Sequence, residues 1–151
     1  MKGKTSGGDV LELGAGSGDM AAALLQRSPG VRLTLTDIDE RMVATARNRF
    51  SKSPRSRVEQ ADSTALPFED SSFDFVLSFL MLHHVVRWQA AVAEAARVLK
   101  PGGMLIGYDL TASPAPRPCG WRTRGPSCFT SLTDHPTNWC HLPNLLPQHA
   151  T

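Results

Sequence analysis

The residues best suited to chemistry come early, in Glu12-Leu-Gly-Ala-Gly-Ser-Gly18, with glycines at positions 14, 16 and 18 and Ala15 between the first two. Glycine has no Cβ, so the backbone there can turn tightly and lie close to a ligand. An apolar strand pattern, Asp9 to Leu13, runs into the loop, and a helix with an apolar stripe, Met20 to Arg27, leaves it. That junction is where open α/β sheets bind nucleotides. The spacing bears on which nucleotide. A dinucleotide fingerprint needs glycines at its first, third and sixth positions, so that the pyrophosphate rests on the helix N-terminus. Counted from Gly14, the sixth position is Asp19, and the third glycine falls at the fifth, Gly18. A carboxylate in the first helical turn competes with a pyrophosphate for the same dipole. A ligand with little or no phosphate fits better, and S-adenosylmethionine, a nucleoside joined to a cationic sulfonium, is such a ligand.

Asp37 follows the second strand pattern, 19 residues after Gly18. A carboxylate there can accept hydrogen bonds from both ribose hydroxyls, which marks a nucleoside site without choosing between adenosine cofactors. Asp39 reads more naturally as a helix cap. Asp62 by itself is one acid after a short strand, and a solvated loop explains it equally well. His83 and His84 are the titratable pair in the segment leaving the fourth strand. An imidazole can act as a general base at neutral pH; the plainer reading is that one caps backbone groups and the other faces solvent. Arg47, Arg49, Lys52, Arg55 and Arg57 read as a solvated helix end and loop rather than a nucleic-acid surface. Cys119, Cys128 and Cys140 with His135 and His141 contain no Cys-x-x-Cys pair, so no metal site is expected.

The elements that must position these residues alternate. Strand patterns fall at Asp9–Leu13, Val31–Thr36, Val58–Ala61, Phe73–Phe79 and Met104–Tyr108. Helical stripes separate them: Met20 to Arg27, then Met42, Val43, Ala46 and Phe50, then Trp88, Ala91, Val92, Ala95, Val98 and Leu99. The crossover from Asp62 to Ser72 lacks a clear helix. The expected fold class is α/β, a Rossmann-like doubly wound parallel sheet of about five strands with helices on both faces.

Composition sets the outer limits. The chain has 151 residues, 41% hydrophobic, with formal net charge +2. The apolar fraction excludes a wholly disordered chain, and near-neutrality gives no electrostatic case for nucleic acid or an anionic membrane. The longest mostly apolar run, Phe73 to Val86, is broken by Asp74, Ser78, His83 and His84, so no membrane span is expected. The basic start has no apolar core of a secretory signal, and three cysteines make no disulfide framework, so a cytoplasmic location is expected. Near Thr111 the composition changes abruptly. Residues 112–151 are Pro-rich, carry only Arg117, Arg122, Arg124 and Asp134 as charges, and show no sustained period. They are expected to be a poorly ordered tail behind a domain at 1–111, and their abrupt onset suggests a shifted reading frame or an alternative end.

Several motifs in order make the sequence resemble a class I S-adenosylmethionine-dependent methyltransferase of type 11, near the ubiquinone/menaquinone C-methyltransferases. They are Val10-Leu-Glu-Leu-Gly-Ala-Gly-Ser-Gly18, Leu35-Thr-Asp-Ile-Asp39 with Met42, Gln60-Ala-Asp-Ser63, Leu66-Pro-Phe68, Ser72-Phe-Asp-Phe-Val76 and Val98-Leu-Lys-Pro-Gly-Gly-Met-Leu105. The resemblance covers about residues 9–110. It implies that Glu12 and the Gly14–Gly18 backbone face the methionine moiety, that Asp37 holds the ribose and that Ile38 packs on the adenine. It further implies that Asp62 accepts from the adenine amine, with the Ser63 backbone nearby. Complete members of the family add an antiparallel strand pair after the fifth strand and helices before the first. Their apparent lack here leaves the fifth strand as an exposed edge, expected to invite self-association. The function implied is methyl transfer from S-adenosylmethionine to a small-molecule acceptor. Alternatives are a truncated, inactive cofactor-binding fragment and, disfavoured by Asp19, an NAD-dependent oxidoreductase.

Overall fold

A computed structural model describes residues 7–109 and the strand at 127–130. In chain order the elements are β1 (Asp9–Leu13), α1 (Asp19–Arg27), β2 (Arg32–Asp37), α2 (Glu40–Phe50), β3 (Ser56–Gln60), β4 (Phe73–Phe79), a 3-10 turn (Leu82–His84), α3 (Trp88–Val98), β5 (Leu99–Asp109) and β6 (Ser127–Thr130). They form one sheet in the order β3-β2-β1-β4-β5-β6, with β1 to β5 parallel. The chain steps outward from β1 to β3, then returns to the other side of β1. That reversal opens a crevice over the carboxyl ends of β1 and β4.

Strand side chains alternate between the two faces, and each face has its own core. Val10, Leu33, Leu35 and Leu77 pack with Ala21 and Leu25 of α1 and Ala46 and Phe50 of α2. Leu11, Leu13 and Val76 pack with Ala95 and Val98 of α3 and with Leu66 from the β3–β4 crossover. The expected doubly wound α/β architecture is the one observed. Asp39 caps α2, its Oδ1 accepting from the Arg41 N–H at 2.8 Å. The crossover at 62–72 has no helix, as its sequence implied. It is tied to α3 instead: Glu94 accepts from the Leu66 N–H, and Arg97 donates to the carbonyls of Leu66 and Phe68.

The far edge corrects an expectation. β6 pairs antiparallel with β5, from Ile106↔Thr130 to Asp109↔Ser127. The fifth strand is therefore not a bare edge over Ile106–Asp109, and the case for self-association through that stretch is withdrawn. One antiparallel strand stands where none was expected. Four residues, Ser-Cys-Phe-Thr, are too few to show a period. β5 also begins earlier than its apolar pattern, at Leu99, where it pairs with Phe73 ahead of an irregularity at Phe75↔Met104. The expected disorder of 112–151 lies outside the described residues apart from β6, as do Cys119, Cys140, His135 and His141.

Candidate nucleoside site

The glycine loop is held open by positive backbone angles at Gly14 (φ 63), Gly16 (φ 56) and Gly18 (φ 83). Two of the three are also close-packed. A Cβ on Gly14 would stand 2.2 Å from Met81 Cγ, and one on Gly18 would stand 2.4 Å from Phe50 Cε2. Gly16 differs, because a Cβ there meets nothing within 4 Å. Gly16 is thus the point at which the loop backbone lies open to an incoming molecule.

Asp37, at the end of β2, fastens this loop. Its Oδ2 accepts from the Gly16 N–H at 2.8 Å and its Oδ1 from the Asp39 N–H at 2.9 Å. Ala15 adds a second tie, its N–H donating to the Thr36 carbonyl at 2.9 Å. A carboxylate offers about four lone-pair sites, so both Asp37 oxygens retain capacity for a further donor. Beside it lies a cavity of about 690 Å³, bordered by Gly14, Asp37, Ile38, Met42, Asp62, Ser63 and His84. That volume is in the range of small-molecule sites. Of the residues picked out from sequence, Glu12, Ala15, Gly16, Gly18 and His83 do not border it. Ile38 and Met42 are apolar yet exposed there, Ile38 by 67%. Asp62 accepts from the Thr64 N–H and hydroxyl, both at 2.8 Å, and the Thr64 backbone bond leads in holding its carboxyl below the usual carboxylate range.

Glu12 lies in the strand floor beneath the loop, between Leu35 and Leu77 in the sheet register. It is 3% exposed, and among the described residues its Oε2 has no hydrogen-bond partner. Burial among apolar neighbours pushes its carboxyl up to about 7. A buried carboxyl with an unpartnered oxygen costs free energy unless a donor or cation meets it.

Other residues also lie where sequence did not place them. Thr36, Thr64, Leu80, Met81, Val85, Val86 and Arg87 border the cavity. Leu80 and Met81 directly follow β4, the one signal that could have found them. Asp19 does not stand as a lone negative charge: Arg49 Nη1 is 2.6 Å from its Oδ1 and Ser17 Oγ donates to its Oδ2 at 2.7 Å. The argument that Asp19 repels a pyrophosphate loses most of its force, since a guanidinium offsets it. The basic cluster is largely used within the fold: Arg55 donates to the carbonyls of Leu25, Ser28 and Val31, Arg47 to that of Val58, and Arg57 pairs with Glu59. His83 Nδ1 lies 2.5 Å from Asp109 Oδ1, and its ring centroid is 3.9 Å from that of His84.

Comparison with known proteins bears on the family and the fold. The profile of the methyltransferase domain family matches residues 11–107. Over 114 residues the chain is 39% identical to the ubiquinone/menaquinone biosynthesis C-methyltransferase UbiE of Paracoccus denitrificans, covering 73% of this chain and 45% of that protein. The YcgJ protein of Bacillus subtilis superposes with a TM-score of 0.62 at 34% identity, covering 68% of this chain and 44% of that one. The [4+2]-cyclase SpnF superposes with a TM-score of 0.69 at 27% identity, covering 74% and 42%. The chain belongs to the methyltransferase domain family, with a Rossmann-like fold. It spans about half the length of the curated relatives it matches.

Proposed function

We propose that the chain is the nucleoside-binding portion of an S-adenosylmethionine-dependent methyltransferase that acts on a small-molecule acceptor. One observation carries the reading: Asp37 fastens the glycine loop at the Gly16 N–H and borders the adjoining cavity with lone pairs to spare. The orphaned Glu12 Oε2 tests the fit of the cofactor and supports it, because a methionine moiety brings the cationic amino group that this carboxyl lacks. Family membership and the C-methyltransferase named among its relatives support the same reading. We assign the domain to 1–111, a cytoplasmic location and no nucleic-acid partner on the sequence grounds given above.

In this reading Asp37 accepts from the ribose hydroxyls, and Ile38 and Met42 flank the adenine with their exposed apolar surfaces. Asp62 and the Ser63 backbone meet the adenine edge. Gly14, Ala15, Gly16 and Gly18 let the backbone lie against the methionine moiety, with Glu12 beneath. When bound, the cofactor supplies an electrophilic methyl group on sulfur. The protein's contribution is to hold donor and acceptor in line and to exclude water, which lowers the entropic part of the barrier.

A second reading has one observation in its favour: the chain matches less than half of its relatives' length. It is a piece that binds the cofactor and does not turn over. Parallel calorimetric titration with S-adenosylhomocysteine and NADH tests the site, with binding of the first and not the second expected; the reverse overturns the proposal and returns the NAD-dependent oxidoreductase. Consumption of S-adenosylmethionine in a metabolite mixture then separates the enzyme from the silent piece.

A further inference from the structure

We propose that Leu80 is a binding residue held under backbone strain, and that its side chain covers the methionine end of the cofactor. The inference deepens the methyltransferase reading above and rests on it. Leu80 directly follows β4 and has a φ of 52. That left-handed region crowds the Cβ of an L-residue, and a bulky side chain there is an outlier.

The neighbours of Leu80 fix the turn. Its N–H donates to the Tyr108 carbonyl at 2.9 Å, which ties the end of β4 to β5. Met81, the next residue, fills the space that a Cβ on Gly14 would need. Strain of this kind persists where surrounding contacts over-determine it, and it gathers at ligand sites. If the turn alone were required, glycine would make it without the crowding. A leucine there needs a second reason, and packing in the free protein does not supply it, because Leu80 is 42% exposed. Leu80 borders the cavity of about 690 Å³. Ser71, the other non-glycine residue with a positive φ among the described residues, does not border it.

Strand order says which part of the ligand Leu80 meets. Along the crevice the strand ends run β3, β2, β1, β4, and with them Asp62, then Asp37 and Ile38, then Gly14, then Leu80. The adenine and ribose belong to the first two ends in the reading above, and the methionine moiety to Gly14. Leu13 is level with Ser78 in the sheet, so Leu80 lies beside the glycine loop and farthest from the adenine end. The methylene carbons of the methionine moiety are apolar and lose water when a leucine covers them.

The full chain in three forms, wild type, Leu80→Ala and Leu80→Gly, separates backbone from side chain. Both variants remove the cover, and only alanine keeps the crowding. The urea midpoint of Leu80→Gly is expected about 0.5 M above that of Leu80→Ala, the reverse of their order at a site with negative φ. Calorimetry is expected to show S-adenosylhomocysteine binding about fivefold weaker in both variants. Adenosine, which lacks the methionine arm, is expected to bind all three forms within about twofold. A side chain that served the fold alone would leave both affinities unmoved. An alanine midpoint at or above the glycine one, S-adenosylhomocysteine affinity kept within about twofold in Leu80→Gly, or adenosine weakened as much as S-adenosylhomocysteine overturns the proposal. Each of those results leaves the nucleoside site standing. A wild type that does not bind S-adenosylhomocysteine removes that site, and this inference with it. Leu80→Gly carries the affinity arm even if Leu80→Ala does not fold.

Discussion

Glu12 makes ligand binding a proton-linked event. In the free protein its carboxyl is pushed up to about 7 by burial against Leu35 and Leu77. At pH 6 about one molecule in eleven carries it ionised, and at pH 8 about ten in eleven. A cationic amino group bound above it needs the ionised form. The dissociation constant for S-adenosylhomocysteine should therefore fall about tenfold from pH 6 to pH 8, with about 0.9 proton released per ligand at pH 6 and about 0.1 at pH 8. Calorimetry in two buffers of different ionisation enthalpy reads both quantities. Glu12→Gln should abolish the slope. A wild-type affinity flat within about twofold across this range, or a slope that persists in Glu12→Gln, would refute the reasoning. The same shift bears on stability. The native carboxyl holds its proton to higher pH than the unfolded one, so its favourable contribution is full below about 4.5 and is lost as pH rises through about 7. The loss amounts to about 3 kcal/mol, and urea midpoints for wild type and Glu12→Gln at pH 4.5 and pH 8 should diverge accordingly.

Three further outcomes follow from the contacts around the site. Asp37→Asn should weaken S-adenosylhomocysteine binding about 10- to 100-fold by calorimetry, because it removes charge-assisted acceptance from the ribose and loosens Gly16; a change under about twofold would contradict its role. Gly16→Ala should cost about 1–2 kcal/mol of stability from its positive φ alone. Gly14→Ala should cost more, since its Cβ also collides with Met81; equal urea midpoints would count against that distinction. Arg97→Met should lower stability by about 1–3 kcal/mol and speed hydrogen exchange at 62–72, because the guanidinium donates to Leu66, Phe68, Asp70 and Glu94 and fixes that crossover on α3.

The sequence carried the fold where local pattern decides structure. Strand and helix periods are local, so the order of β1 to β5 and the missing crossover helix could be read directly. The glycine loop was legible for a similar reason, as closely spaced glycines between a strand and a helix leave few readings. Contacts made across the chain were not legible. Asp109 meets His83 across 26 positions and Arg49 meets Asp19 across 30, and only the adjacency of β4 with β5 and of α1 with α2 creates those pairs. Asp37 could be picked out as an acid after a strand. Its hold on Gly16, across 21 positions, could not. Glu12 was singled out through the family motif, whereas its missing partner and raised pKa exist only once Leu35 and Leu77 close around it. β6 lay beyond reach because four residues show no period.

The most direct measurement is a crystal structure of the protein grown with S-adenosylhomocysteine and NADH together. The account predicts S-adenosylhomocysteine in the crevice, its ribose hydroxyls about 3 Å from the Asp37 oxygens and its amino group over Glu12. NADH in that place, with its diphosphate on the Gly14–Gly18 backbone, would contradict it.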